Sequence, residues 1–258
     1  MRVIVTRPLQ QAQTTVAVLL AQGVDAVALP LIDIVPLRDV QPVRQAWRDL
    51  DQLACVMFVS ANAVQHFMRQ RPPQCAWPVQ VLAASTGPGT SQALREAGVP
   101  QGALVEPAAE AFDSEALWAQ LEGRDWTACR VLVVRGENGR DWLAEQLVAA
   151  GATLRFVAAY DRVAPTFDAA GQALLSQALA QPSAHLWAFS SSQALGHLDK
   201  LAHGADWSRA RAVASHPRIA DSARQMGFGH VELGPVTPHA LAAALRAAQD
   251  RHLQSRAP

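Results

Sequence analysis

The chain repeats itself. A short β-branched run, Val3-Ile4-Val5-Thr6, is followed by a helix-spaced stretch that Gly23 closes, and then by a second apolar run, DAVALPL. The same series starts again at Val131 with VLVV, then DWLAEQLVAAG closed by Gly151, then TLRFVAAY. Val131 stands 128 positions after Val3, and Gly151 stands 128 after Gly23. Further along, Phe189 stands 131 positions after Phe58, and Ala212 stands 131 after Val81. A duplication of such long period means paired domains rather than a solenoid. Each repeat reads as a five-strand α/β unit, because short continuous apolar strands alternating with helices specify a parallel sheet covered on both faces. Two such units can pack as one pseudo-symmetric protein with a cleft between them.

Within this grammar the runs at Cys55 (CVMFVS), VQVLAAS, ALVEP, HLWAFS, ARAVAS and HVELG read as strands. The helices between them carry local signals. Asp113 or Ser114 can cap one, Gly98 closes another, and Thr237 is a plausible N-cap with Pro238 at the first helical position. Two proline-bearing segments break the pattern at equivalent places. Residues 32–42 carry Pro36 and Pro42, and residues 160–168 carry Pro165, so both read as extended connectors.

Composition excludes several classes. Half of the 258 residues are hydrophobic, which excludes a disordered chain and supplies one large or two small cores. Lys+Arg and Asp+Glu are 22 each, so the basic excess that nucleic-acid binding needs is missing. The 3 Cys form no CxxC pair and indicate neither a disulfide framework nor a structural zinc site. The apolar stretches fall far short of the ~20 residues of a membrane span. No targeting segment is visible at the N-terminus, so the cytoplasm is the expected compartment.

Ligands of open parallel sheets bind outside the carboxyl ends of the strands. The residues that follow the predicted strands are Thr6-Arg7-Pro8, Ser60-Ala61-Asn62, the STGPGT of 85–90, the RGENGR of 135–140, Ser190-Ser191-Ser192 and the SHPR of 215–218. They offer hydroxyls, backbone N–H groups and arginines at helix N-termini, where anions are favoured. No acid pair, Cys/His pair or metal-ligand cluster stands among them. Such loops suit a multiply anionic ligand that is held rather than attacked. Each feature also has a purely structural reading: the serines as N-caps, the glycine loops as turns, Arg7 and Arg140 as surface charges. Neither glycine loop fits GxxxxGK[ST] or GxGxxG. Cys55 lies in a buried strand, and the 7 Trp read as packing residues. Tyr160, the only tyrosine, ends a strand beside a connector, where it either faces a cleft or packs half-buried.

Taken in order, VTRP, FVSANAV, STGPGT, RGENGRDWL, AAYDR, FSSSQAL and SHPRIA resemble the uroporphyrinogen-III synthase family. The resemblance runs from Arg2 to about Leu245. It implies two flavodoxin-like α/β domains from the duplication, joined by two extended connectors, with the repeats exchanged. Residues 1–35 with 165–258 would form one domain, and 36–164 the other. Position by position, Thr6, Arg7 and Pro8 match the family's opening motif. Ser60 and Asn62 match its first strand-to-helix turn, and Gly87 and Thr90 its glycine–threonine turn. Arg135, Gly136 and Arg140 match the glycine-rich loop, and Ser190 and Ser191 the second serine turn. Tyr160 matches the tyrosine proposed as an acid. At 214–216 the chain departs from the glycine- or threonine-rich turn of relatives: Ser215 supplies a hydroxyl, and no role is implied for His216 or Arg218.

The resemblance implies a lyase of tetrapyrrole and heme biosynthesis. Its substrate would be hydroxymethylbilane, a linear tetrapyrrole with eight carboxylates. Loss of its hydroxyl as water gives an azafulvene, ring D attacks through its substituted carbon, and the spiro intermediate re-closes with ring D inverted. The enzyme's task is orientation and help to the leaving hydroxyl, with Tyr160 as general acid. No cofactor or metal is implied, and no nucleic acid or membrane partner. A monomer and a transient contact with hydroxymethylbilane synthase complete the expectation. The alternatives are a non-catalytic two-domain small-molecule-binding module and a nucleotide-dependent transferase with its nucleotide at RGENGR.

Overall fold

The structure, a computed structural model, describes residues 1–107, 114–136 and 142–254. The chain opens with β1 (Arg2–Val5), α1 (Leu9–Ala21) and β2 (Ala26–Ala28), then β3 (Asp33–Pro36) and α2 (Gln41–Arg48). There follow β4 (Cys55–Phe58), α3 (Ala61–Met68), β5 (Leu82–Ser85), α4 (Pro88–Glu96), β6 (Leu104–Val105) and α5 (Ser114–Leu121). The second repeat begins with β7 (Arg130–Gly136), α6 (Trp142–Ala149) and β8 (Thr153–Val163), after which comes α7 (Ala169–Ala180). It ends with β9 (His185–Phe189), α8 (Ser192–Leu201), β10 (Arg211–Ala214), α9 (Pro217–Gln225), β11 (His230–Leu233) and α10 (Pro238–Gln254).

These elements form two sheets, in the orders β11-β10-β9-β1-β2 and β3-β8-β7-β4-β5-β6. The chain correspondingly divides into two compact units, Met1–Asp33 with Val163–Pro258, and Ile34–Arg162. The first unit has the flavodoxin-like order 2-1-3-4-5, with the first two strands of one repeat beside the last three of the other. The second unit has the complementary set in the same order, with β3 added outside β8. The pairs β1–β2, β1–β9, β9–β10 and β10–β11 are parallel, as are β4–β5, β4–β7, β5–β6 and β7–β8.

The central strands are buried on both faces, which is why they lack polar alternation. In β4 all four side chains are buried. Val56 and Phe58 join one cluster with Trp47, Phe67, Trp77 and Leu94, while Cys55 and Met57 join another with Leu117, Trp126 and Leu147. In β9, Leu186 and Ala188 pack with Val3, Val5, Leu19 and Leu241. On its other face Trp187 and Phe189 meet Trp207 and Phe228. The indoles of Trp47, Trp77 and Trp126 donate to the carbonyls of Phe67, Val81 and Leu121 at 2.8–3.0 Å, the arrangement expected of packing tryptophans. Gly23 and Gly151 close α1 and α6 at φ 74° and 99°, a left-handed turn that a Cβ disfavours.

Both proline-bearing segments are extended over part of their length, and the first of them enters a helix before its second proline. Residues 33–36 are β3, and α2 starts at Gln41 with Pro42 in its first turn, where the missing N–H has no partner to lose. Val43, Ala46 and Trp47 then bury one helical face. At the second segment β8 continues to Val163, and Asp168 caps α7 by accepting the Gly171 N–H at 2.8 Å. Of the two caps offered for α5, Asp113 lies outside the described residues. Thr237 accepts the Ala240 N–H at 3.4 Å at the start of α10.

Candidate active site

In each unit the strand order reverses once, between β1 and β9 in the first and between β7 and β4 in the second. The connections leave such a point in opposite directions, which opens a space at the carboxyl ends of the strands. Both reversal points carry the same pair of residue types. Arg7 follows β1, and Arg135, 128 positions later, is the penultimate residue of β7. Ser191 caps α8 after β9, and Ser60, 131 positions earlier, caps α3 after β4.

In the second unit Ser60 is held in extended backbone at φ −166°, and its Oγ accepts the Ala63 N–H at 3.1 Å. The same Oγ lies 3.2 Å from the Tyr160 hydroxyl. Arg162 Nη2 donates to that hydroxyl at 3.0 Å. A bulge brings Tyr160 here. Arg135 pairs with Ala158 but Gly136 pairs with Tyr160, so Ala159 is an extra residue in β8. It turns the next side chain onto the α3 side of the sheet. There the Tyr160 ring packs against His66 at 5.7 Å between centroids and is 0% exposed.

This burial corrects the expectation of a half-buried tyrosine and bears on the direction of the hydrogen bonds. A guanidinium only donates, so the Tyr160 oxygen accepts from Arg162. With its oxygen accepting from Arg162 and its ring fully buried, the phenolic O–H has Ser60 Oγ within reach as an acceptor at 3.2 Å. Ser60, itself only half-buried, is left with its own proton directed away from both partners.

Asn62, half-buried, stands in the first turn of α3. Gly87 caps α4 in extended backbone, its carbonyl accepts the N–H groups of Thr90 and Ser91, and a Cβ on it would meet nothing within 4 Å. Packing therefore does not demand that glycine. Thr90 is 6% exposed. Ser85, the first residue of the STGPGT loop, is buried and bonded at 2.5 Å to Ser91, which sequence reasoning did not single out. Arg135 lies over the ring of Phe156, 4.3 Å from its centroid. Arg140 and the rest of 137–141 lie outside the described residues.

In the first unit the Thr6 hydroxyl is 1% exposed and donates to the Ala188 carbonyl at 2.6 Å, so it ties β1 to β9 at the reversal point rather than opening to solvent. Arg7 beside it is half-buried, and burial pulls its guanidinium below its ordinary value, though it stays charged at neutral pH. Ser190 is exposed, and Ser191 Oγ accepts the Gln193 N–H at 3.2 Å. Ser192 Oγ, in the same serine turn that the sequence offered, is buried without a hydrogen-bond partner. Ser215 is exposed. The neighbouring His216 caps α9, its Nδ1 accepting the Arg218 N–H at 3.2 Å. A histidine thus does at this turn what serine does at the others. Among the described residues no three His, Cys, Asp or Glu side chains are grouped to hold a metal ion, and no helix is long and apolar enough to cross a membrane.

Fold and donors together define a class: a duplicated α/β protein whose two sheets exchange strands and present arginine and helix N-termini at two reversal points. The family described as uroporphyrinogen-III synthase HemD matches residues 13–242, and the chain belongs to that family. It is 28% identical over 236 residues to the uroporphyrinogen-III synthase of Salmonella typhimurium, across 90% of this chain and 94% of that one. It is 26% identical over 235 residues to that of Escherichia coli K12, with the same coverage. Two solved structures share the fold. A mutant uroporphyrinogen III synthase of Thermus thermophilus covers 99% of this chain and 100% of its own at TM-score 0.57 and 18% identity. The uroporphyrinogen-III synthetase of Helicobacter pylori 26695 does so with the same coverage and TM-score at 15% identity.

Proposed function

We propose that the protein is a cofactor-independent lyase that cyclises hydroxymethylbilane to uroporphyrinogen III with inversion of ring D and loss of water. The observation that carries this is the family match across residues 13–242. The site chemistry agrees with it. Eight carboxylates call for fixed donors and positive charge, and each reversal point offers one arginine and the N-terminus of a serine-capped helix. The family match and the named relatives favour the enzyme over a non-catalytic binding module. The proposal extends to a cytoplasmic monomer in transient contact with hydroxymethylbilane synthase.

The roles within the second unit follow the hydrogen-bond directions. Ser60 is the group that reaches the departing hydroxyl of the substrate, and Tyr160 is the proton source behind it. As the C–O bond breaks, the Ser60 proton passes to the leaving oxygen, which departs as water. Tyr160 re-protonates Ser60, and Arg162 stabilises the phenolate through its 3.0 Å hydrogen bond. The proton that the substrate releases on ring closure restores Tyr160, so nothing is consumed. Thr6, Gly87, Thr90 and Gly136 shape the loops, while Arg7, Asn62, Arg135, Arg140, Ser190, Ser191 and Ser215 are assigned to the substrate's carboxylates and pyrrole N–H groups.

The test is the isomer ratio formed from hydroxymethylbilane with and without the protein. The type III isomer predominating only with protein present is the expected result. The same mixture in both reactions would return the chain to the binding-module reading.

A further inference from the structure

The second unit carries a cluster of like charges that the catalytic reading does not use. Arg44 and Arg48 stand four residues apart on α2, and Arg69 and Arg71 follow the end of α3. Together with Gln70, Pro72 and Pro73 they line a pocket of about 340 Å³, at the small end of the range for ligand pockets. No acidic side chain lines it, and among the described residues none of the four is ion-paired to a carboxylate.

The cluster is ordered by its neighbours. Arg71 lies 6.0 Å from the centroid of the Trp47 ring and donates to the carbonyls of Cys75 and Ala97. Arg44 Nε is held by Gln70 Oε1 at 3.2 Å, and Arg48 by Gln45 Oε1 at 2.6 and 2.9 Å. Burial, and then the charge of Arg69, disfavours protonation of the neighbouring His66. Each guanidinium has five N–H groups, so these bonds leave most donors unused.

Capping the carbonyl end of α3 accounts for Arg69 and Arg71, because cations are favoured there. It does not account for Arg44. Like charges at i,i+4 destabilise a helix, and here two further arginines share their pocket. A bound anion removes that repulsion.

We propose that this pocket binds a small polyanion with at least two oxyanion groups, phosphoryl or carboxylate, at a site separate from the candidate active site. Ser60 caps the start of α3, and Arg69 and Arg71 follow its end. The eight residues between them span about 12 Å of helix axis. The site does not depend on the cyclase reading, since its ligand is read by charge and size alone.

The test is calorimetric titration of the whole protein with pyrophosphate and, separately, with citrate. Their relative affinities distinguish a phosphoryl from a carboxylate ligand. The expected result is saturable binding of at least one of them that weakens with salt and falls about tenfold or more in the Arg44→Gln/Arg48→Gln variant. In Arg224→Gln, an exposed arginine of the first unit, affinity should be unchanged. Both substituted side chains are exposed, so the fold should survive, and cyclisation should run at the wild-type rate. Failure of both anions to bind, or equal binding in the double variant, overturns the proposal. Loss of cyclisation in the double variant with unchanged anion affinity would also overturn it, by placing these arginines in the catalytic machinery instead.

Discussion

A Cβ built on Gly136 would lie 3.0 Å from Cε2 and Cζ of Tyr160 and 3.3 Å from its hydroxyl. The glycine is therefore the surface on which the ring rests, and its lack of a side chain lets the hydroxyl reach Ser60. Gly136→Ala should push the ring away and lengthen the 3.2 Å contact with Ser60. Tyrosine labelled with ¹³C at Cζ gives one resonance, because the chain has 1 Tyr. That resonance should shift in the variant and turnover should fall. An unmoved resonance would show that the ring does not depend on Gly136.

Ser60→Ala and Tyr160→Phe should differ in kind. The serine substitution removes the contacting donor and the cap of α3, and should cost about 1 kcal/mol of stability besides activity. The phenylalanine keeps the packing, so stability should change little while turnover drops about 10²-fold, the low end for a general acid, because half-buried Ser60 can still draw a proton from solvent. Isomer choice should survive in both. Rates, isomer ratios and denaturation midpoints measured on the same preparations check this. A wild-type rate in Tyr160→Phe would remove the phenol from the mechanism.

Burial, and then the positive charge of Arg69, hold the His66 imidazole below its ordinary value of 6.5. The folded state therefore binds that proton less readily than the unfolded chain does. The contribution to stability is complete above pH 6.5 and is lost as pH falls from there toward the folded value. Denaturant midpoints should decline on the acid side, and Arg69→Gln should reduce that part of the decline. An identical profile in the variant would assign the loss to other groups.

Cys55 is fully buried, and burial pushes its thiol up to about 12. Cys75 and Cys129 are partly exposed. Two thiols per chain should react with a thiol reagent under native conditions and the third only on unfolding. Labelling followed by peptide mass analysis identifies them; rapid modification of Cys55 would contradict its packing in β4.

At Gly229 a Cβ would stand 1.8 Å from the Ser208 carbonyl oxygen, a backbone atom that cannot turn aside. Gly229→Ala should cost about 3 kcal/mol through forced separation of the two segments. Thermal or denaturant unfolding measures it, and a near-neutral variant would show that the loop after Trp207 yields.

What the sequence by itself determined is local. The uninterrupted apolar character of Cys55-Val56-Met57-Phe58 already specified a strand covered on both faces, and the repeat offsets already specified two like units. Ser60, Ser191 and Thr237 were legible as helix caps because a cap needs only residues within one turn. Pro42 misled, because a proline marks a helix's first turn as readily as a break, and only the burial of Trp47 separates the two. Three things were left to tertiary structure. Periodicity cannot say which strands share a sheet, since contiguous and exchanged pairings bury the same apolar faces; the pairing of β1 with β9 and of β7 with β4 decides it. One extra residue at Ala159 reverses the face on which Tyr160 falls, and no side-chain pattern announces a bulge. Arg44, Arg48, Arg69 and Arg71 are scattered charges in the sequence and become one pocket only when α2 packs against α3, because electrostatics depends on distance in space rather than along the chain.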